Sequence, residues 1–168
     1  MHMMQLWVNL PSKDKLAPPA YQPITTADIP RVALPAGGGE VRVIAGEYEG
    51  ARGPARTFTP ITMLDVNLKA GGHLPLKLPS TYNAMAVVAT GRVRVGEQTA
   101  STGELLLFGN DGDQLQLSAD EESHLLILSG EPLNEPIVQY GPFVMNTVEE
   151  IREAIADVNS GKFGPVPE

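Results

Sequence analysis

Polar and apolar positions along this chain fall into three regimes. From Val41 to Leu128, short apolar runs are separated by Gly or Asp-Gly turns, a pattern that predicts antiparallel strands in a sandwich or barrel. Leu64, Val66 and Leu68 alternate with Met63, Asp65 and Asn67, as Val93 and Val95 do with Arg92 and Arg94. Each of these strands should therefore have one core face and one wet face. Thr90-Gly91 and Asp111-Gly112 supply turns. Leu105–Phe108 and Leu125–Leu128 are apolar on both faces, so both are expected to be central strands covered from two sides.

The flanking regimes differ. Residues 1–39 carry Pro11, Pro18, Pro19, Pro23, Pro30, Pro35 and Gly37-Gly38-Gly39, which leaves room for one short strand, Gln5–Leu10. Near the C-terminus, Thr147-x-x-Glu150 forms a capping box, and Val148, Ile151, Ile155 and Val158 line one face of a helix. The helix is expected over about Val148 to Val158, ending near Gly161 and covering the central strands. The expected organisation is an N-terminal arm over 1–39, a barrel over 40–145, and a helix with its tail over 146–168, packed on the barrel.

Composition narrows this further. A chain of 168 residues suffices for one domain with a core. Its 17 Gly and 15 Pro exclude an all-α bundle, while 42% apolar and 19% charged residues exclude a disordered chain. The net charge of −8 disfavours direct nucleic-acid binding. With no cysteine there is no disulfide, thiolate metal site or cysteine nucleophile. The longest apolar run is Ala84–Ala89 and no leader is legible, so a cytoplasmic protein without a membrane segment is expected.

Candidate chemistry is sparse. His2, His73 and His124 belong to no ligand motif, and the simplest expectation for each is a surface or hydrogen-bonded histidine. Ser123, His124 and Asp120 make a triad on paper, but no nucleophile elbow holds the serine. Gly46–Gly53 is glycine-rich but lacks the lysine of a phosphate loop and carries acids instead, so it is expected to be a loop. The run Asp120-Glu121-Glu122 is expected to be a solvated turn.

Gln5-Leu-Trp-Val-Asn-Leu-Pro11, Gly46-Glu47, Gly53-Pro54, the Asn83–Gly91 segment, Gly130-Glu-Pro-Leu-Asn-Glu-Pro-Ile137 and Tyr140-Gly-Pro-Phe-Val-Met-Asn-Thr147 resemble the pirin family. The resemblance covers nearly the whole chain. It implies an all-β fold, a cupin-type double-stranded β-helix or jelly-roll barrel with a C-terminal α-helix, matching the second of the family's two barrels plus its linker. The family's iron, held by three histidines and a glutamate, lies in the first barrel, which has no counterpart here. Flavonol-cleaving dioxygenase activity and the redox-dependent transcription-cofactor role both trace to that iron, so no cofactor is expected for this chain.

Set against the general cupin metal pattern, anchoring on Gly91 places Lys77, Pro79 and Ala84 at two histidines and a glutamate, and anchoring on Gly103 places Gln114 at the last histidine. An ammonium, a proline ring, a methyl and a neutral amide cannot hold iron or zinc. A register shift of one brings Leu78, Ser80, Asn83 or Leu115, which are no better donors. A polar pocket at the barrel mouth, lined by Lys77, Asn83 and Gln114, would suit a small aromatic or acidic ligand, although small barrels are usually filled by their own side chains.

Three functions stay open on this reading: a metal-free module acting through protein contacts, a quercetin 2,3-dioxygenase-type oxidoreductase working only with a metal-bearing first barrel, and a small-ligand binding protein. Leu6, Trp7 and Val8 are the candidate interface, with a homodimer as the first expected partner and a separate first-cupin protein as the second.

Overall fold

The computed structural model describes residues 3–162 and Gly164. The chain forms two units, one spanning Ala20–Pro132 and the other built from both ends, up to Pro19 and from Leu133 onward. The expected boundaries at 39/40 and 145/146 do not coincide with this division.

The unit Ala20–Pro132 contains β1 (Arg31–Ala33), β2 (Gly39–Ala45), β3 (Glu47–Tyr48), β4 (Ala51–Arg52), β5 (Ile61–Leu68), β6 (His73–Lys77), β7 (Asn83–Thr90), β8 (Arg92–Val95), β9 (Gln98–Ser101), β10 (Leu105–Phe108), β11 (Gln114–Ala119) and β12 (Ser123–Gly130). Six of them make one sheet in the order β1-β2-β5-β12-β7-β10, and four make a second in the order β6-β11-β8-β9. All strand pairs in both sheets are antiparallel. The period-2 alternation holds: Leu64, Val66 and Leu68 join Val41, Val43, Leu74, Val88, Val93, Leu117, Leu125 and Ile127 in one core, as one buried face per strand requires.

Two expectations about the strands change. Leu125–Leu128 does lie in a central strand, flanked by β5 and β7. Leu105–Phe108, by contrast, is the edge strand of the larger sheet, and its outer face leaves Leu105 54% and Leu107 72% exposed. The Gly46–Gly53 segment is a hairpin rather than a loop: β3 and β4 pair across a turn with Glu49 at φ 46° and Gly50 at φ 79°, positive values that suit a tight two-residue hairpin turn.

In the unit formed by the chain ends, Gln5–Leu10 is not a strand. Its alternation of Leu6, Val8 and Leu10 finds no neighbour to pair with, and a strand without a ladder leaves its backbone groups unsatisfied. The segment leads instead through Pro11 into a single 3₁₀ turn, Ser12–Asp14. The other end contributes the hairpin β13 (Val138–Tyr140) and β14 (Phe143–Met145), followed by α1 (Val148–Asn159). The capping box is present as expected: Glu150 N donates to Thr147 Oγ1, and Thr147 N donates to the Glu150 carboxylate. Gly161 ends the helix at φ 75°. The helix packs against β13 and β14 through Ile151, 5% exposed, and half-buried Ile155, while Val148 and Val158 at the ends of the stripe stay exposed.

Candidate functional site

Of the four positions aligned with cupin metal ligands, Lys77, Pro79 and Gln114 are exposed and Ala84 is buried. Lys77 and Gln114 are cross-strand partners in β6 and β11. In these strands the buried positions are Leu74, Leu76, Leu117 and Ala119, with Leu115 half-buried on the same face, so Lys77 and Gln114 fall on the exposed face. Lys77 is fully outward and 4.0 Å from Asp113. Pro79 lies in the exposed turn after β6, and Ala84 is buried on β7. Leucines and an alanine methyl therefore occupy the interior where the pattern asks for imidazole and carboxylate, and hydrocarbon offers no lone pair to a cation. Among the described residues no cluster of three or more His, Cys, Asp or Glu could hold a metal ion. The iron of the family does not fit these residues.

The expected mouth pocket is redistributed. A cleft of about 560 Å³ is lined by Pro79, Tyr82, Ala84, Phe108, Gln114 and Leu115, among others, whereas Lys77 lines a separate cleft and Asn83 lines neither. Asn83 is instead an exposed residue at the start of β7, opposite Gly130. Lys77 and Gln114 are thus cross-strand neighbours that border different clefts.

The histidines resolve separately. His2 lies outside the described residues, and His73 is exposed on β6. His124 Nε2 lies 2.7 Å from Asp65 Oδ1, while Arg42 Nη2 pairs with Asp65 Oδ2. Arg42 is the cross-strand partner of Asp65 and His124 the partner of Asn67, two positions along. Asp65 sits on the outer face of β5 yet is only 8% exposed. Its pairing with both groups offsets the cost of withdrawing a carboxylate from water. The paper triad is broken: the Ser123 hydroxyl is buried and accepts from Arg92 N (3.0 Å), and Asp120 pairs with Arg94. Sequence reading missed the Arg42–Asp65 pair because it depends on the β2–β5 register, which no local motif reports.

In the end unit, Leu6, Trp7 and Val8 are all exposed, Trp7 at 70%. Trp7, Val8 and Leu10 border a groove of about 400 Å³ with Lys15, Gln139, Val144 and Met145. Lys15 Nζ donates to Asn9 Oδ1 (2.6 Å) and to Val144 O (3.2 Å), which fixes this segment on β14 without a strand ladder.

Antiparallel sheets enclosing an apolar core, with one appended C-terminal helix, define a cupin-type barrel. Residues 63–164 match the pirin C-terminal cupin domain, and the chain belongs to the pirin family. It is 50% identical over 163 residues to a Pseudomonas aeruginosa protein named "Putative quercetin 2,3-dioxygenase", covering 97% of this chain and 57% of that one. It is 37% identical to pirin of Rattus norvegicus, covering 97% of this chain and 57% of that one. A crystal structure of quercetin 2,3-dioxygenase from Acinetobacter baumannii superposes with a TM-score of 0.91 at 44% identity, over 96% of this chain and 56% of the other. The chain thus spans a little over half the length of these relatives. No helix among the described residues is long and apolar enough to cross a membrane.

Proposed function

We propose that this chain is a metal-free, non-catalytic pirin-type cupin module that acts by contacting a second folded barrel, and that in isolation a second copy of itself fills that place. One observation carries the reading: the interior positions of β6, β7 and β11 present Leu76, Ala84 and Leu115 where a cupin enzyme needs metal donors. The exposed Leu105 and Leu107 on edge strand β10 supply a contact surface, since apolar side chains beside an unpaired strand edge favour association. Metal analysis of untagged protein, with quercetin turnover measured in parallel, tests the reading. The expected result is less than about a tenth of an equivalent of Fe, Ni, Zn or Cu, for want of three or four N/O donors, and turnover equal to buffer. Near-stoichiometric, chelator-resistant metal with turnover would overturn it.

A second reading is favoured by the names of the relatives, two of which refer to quercetin 2,3-dioxygenase. On this reading the chain supports catalysis by a metal-bearing first barrel. Adding such a barrel from a full-length relative should then give quercetin turnover that neither part gives alone.

A further inference from the structure

A cleft of about 890 Å³ opens in the unit Ala20–Pro132 between the β3–β4 hairpin with its following loop and the turn after β6. Arg52, Arg56 and Lys77 line it, with Glu47 as its single carboxylate. In a chain of net charge −8, this is a local reversal of sign. Among the described residues neither Arg52 nor Arg56 has a carboxylate within 4.0 Å, although Glu47 is the cross-strand partner of Arg52. Lys77 has only the marginal contact with Asp113 at 4.0 Å.

The backbone carrying Arg56 is held firmly while its side chain is left free. Gln22 Nε2 donates to Arg56 O (2.9 Å), and Arg56 N donates to Gln22 Oε1 (2.8 Å). Ala55 N donates to Ile44 O (3.0 Å), and Gly53 N donates to Gly46 O (2.9 Å). The loop lies so close to β2 that a Cβ on Gly53 would come within 2.5 Å of the Ile44 carbonyl. The fixed backbone sets where the guanidinium can reach, and its planar fork matches a carboxylate bidentately.

The cleft's remaining walls are not suited to a bare inorganic ion. Phe58, 55% exposed, stands on one wall and Tyr82, half-buried, on the other. Two aromatic residues lining a cleft of this volume match a ligand with a flat apolar body, and drug-sized ligands fill clefts of about 300–1,000 Å³. We propose that this cleft binds a small aromatic carboxylate, its anionic end held by Arg52, Arg56 and Lys77 and its ring between Phe58 and Tyr82. The proposal does not depend on the metal-free reading above: Lys77, though aligned with a cupin ligand, lies on the exposed face of β6, and the other four residues are at no aligned position.

The test titrates the full chain with benzoate, cyclohexanecarboxylate and inorganic phosphate, following the arginine Nε–H and backbone amide resonances by NMR. Benzoate should give saturable shifts at Arg56 and at residues 54–60, and both other probes should bind more weakly. Arg56→Gln should weaken benzoate binding about tenfold, the loss expected for one charged hydrogen bond, with an unchanged melting temperature because the side chain makes no intramolecular bond. Phe58→Leu should reduce the preference for benzoate over cyclohexanecarboxylate. Absence of saturable shifts at these residues, or equal response to benzoate and phosphate, would overturn the proposal. An undiminished benzoate response in Arg56→Gln would do so as well.

Discussion

Ser12 and Glu135, 123 residues apart, are joined by two hydrogen bonds: Ser12 N donates to Glu135 Oε2 (2.8 Å) and Ser12 Oγ to Oε1 (3.2 Å). Asn146 Nδ2 donates to the same carboxylate at 3.0 Å. These bonds tie the N-terminal segment to the residues on either side of the β13–β14 hairpin, within the unit made from both chain ends.

The same carboxylate sets a pH dependence. The Ser12 backbone bond, aided by the Asn146 and Ser12 side chains and the Lys15 charge, holds Glu135 below the ordinary glutamate range, with desolvation opposing. A folded pKa lowered below the unfolded one contributes stability that is complete above the unfolded value and lost as pH falls through the folded one. Acidification below the ordinary glutamate range should therefore release Ser12, seen as an upfield amide shift and faster hydrogen exchange at residues 12–17. Glu135→Ala should produce the same exchange behaviour at neutral pH. Equal protection of Ser12 in both proteins would show that the tie is not closed.

The turn after β7 makes a sharper demand on one residue. Gly91 has φ 84°, and a Cβ there would lie 2.3 Å from Ser123 Oγ and 2.4 Å from Glu122 O. The hydroxyl cannot yield freely, because it accepts from Arg92 N and lies 2.9 Å from Glu121 O, to which it can donate. Gly91→Ala should cost more than about 2 kcal/mol, combining left-handed backbone strain with overlap against a carbonyl. Ser123→Ala should cost about 1 kcal/mol by removing the hydroxyl that pairs with Arg92 N and Glu121 O. Urea midpoints measure both, and an unshifted midpoint for Gly91→Ala would mean that the turn is differently built.

What could be read from the chain depended on how locally each feature is encoded. The α1 cap and stripe, the Gly91 turn and the alternating strands follow from neighbours within a few residues, and all are present. Gln5–Leu10 has the alternation of a strand but no partner, and partnership is a property of the whole sheet. The run at β10 is apolar on both faces, which is equally consistent with a central strand and with an edge strand whose outer face awaits a contact; its exposure at Leu107 identifies the second case. At the candidate site, the outward facing of Lys77 and Gln114 follows from the alternation of β6 and β11 with their leucines, a pattern local to each strand. The cleft around Arg52 and Arg56 was not legible, because it forms only when the β3–β4 hairpin and the turn after β6 come together.

The C-terminal helix should be held by its cap and one central side chain. Thr147→Ala removes the hydroxyl that accepts from Glu150 N and should cost about 1 kcal/mol. Ile151→Ala should cost about 2–5 kcal/mol because Ile151 is the buried side chain of the stripe. Ile155 is only half-buried, so Ile155→Ala should cost less than Ile151→Ala. Far-ultraviolet circular dichroism during denaturation, read at the helical signal, gives the ranking; the reverse order for the two isoleucines would contradict the observed packing.

Self-association should be governed by the apolar edge of the larger sheet. β10 is short, but it is terminal in that sheet, and Leu105 and Leu107 stand beside Val87 and Met85 on its outer face. Burying such side chains contributes about 1.5–3 kcal/mol each when exposure is fully removed, enough for a symmetric contact in which each residue is used twice. In the end unit, the unpaired segment around Trp7 offers a second apolar surface, no longer as a strand to be exchanged but as exposed side chains. Light scattering at micromolar concentration should give about twice 17.9 kDa. Leu107→Ser should shift that mass toward one chain more strongly than Trp7→Ser if the sheet edge is the contact. The opposite ranking would move the interface to the end unit, and a wild-type mass of one chain at every concentration would remove the homodimer and leave a different barrel as the partner to be sought.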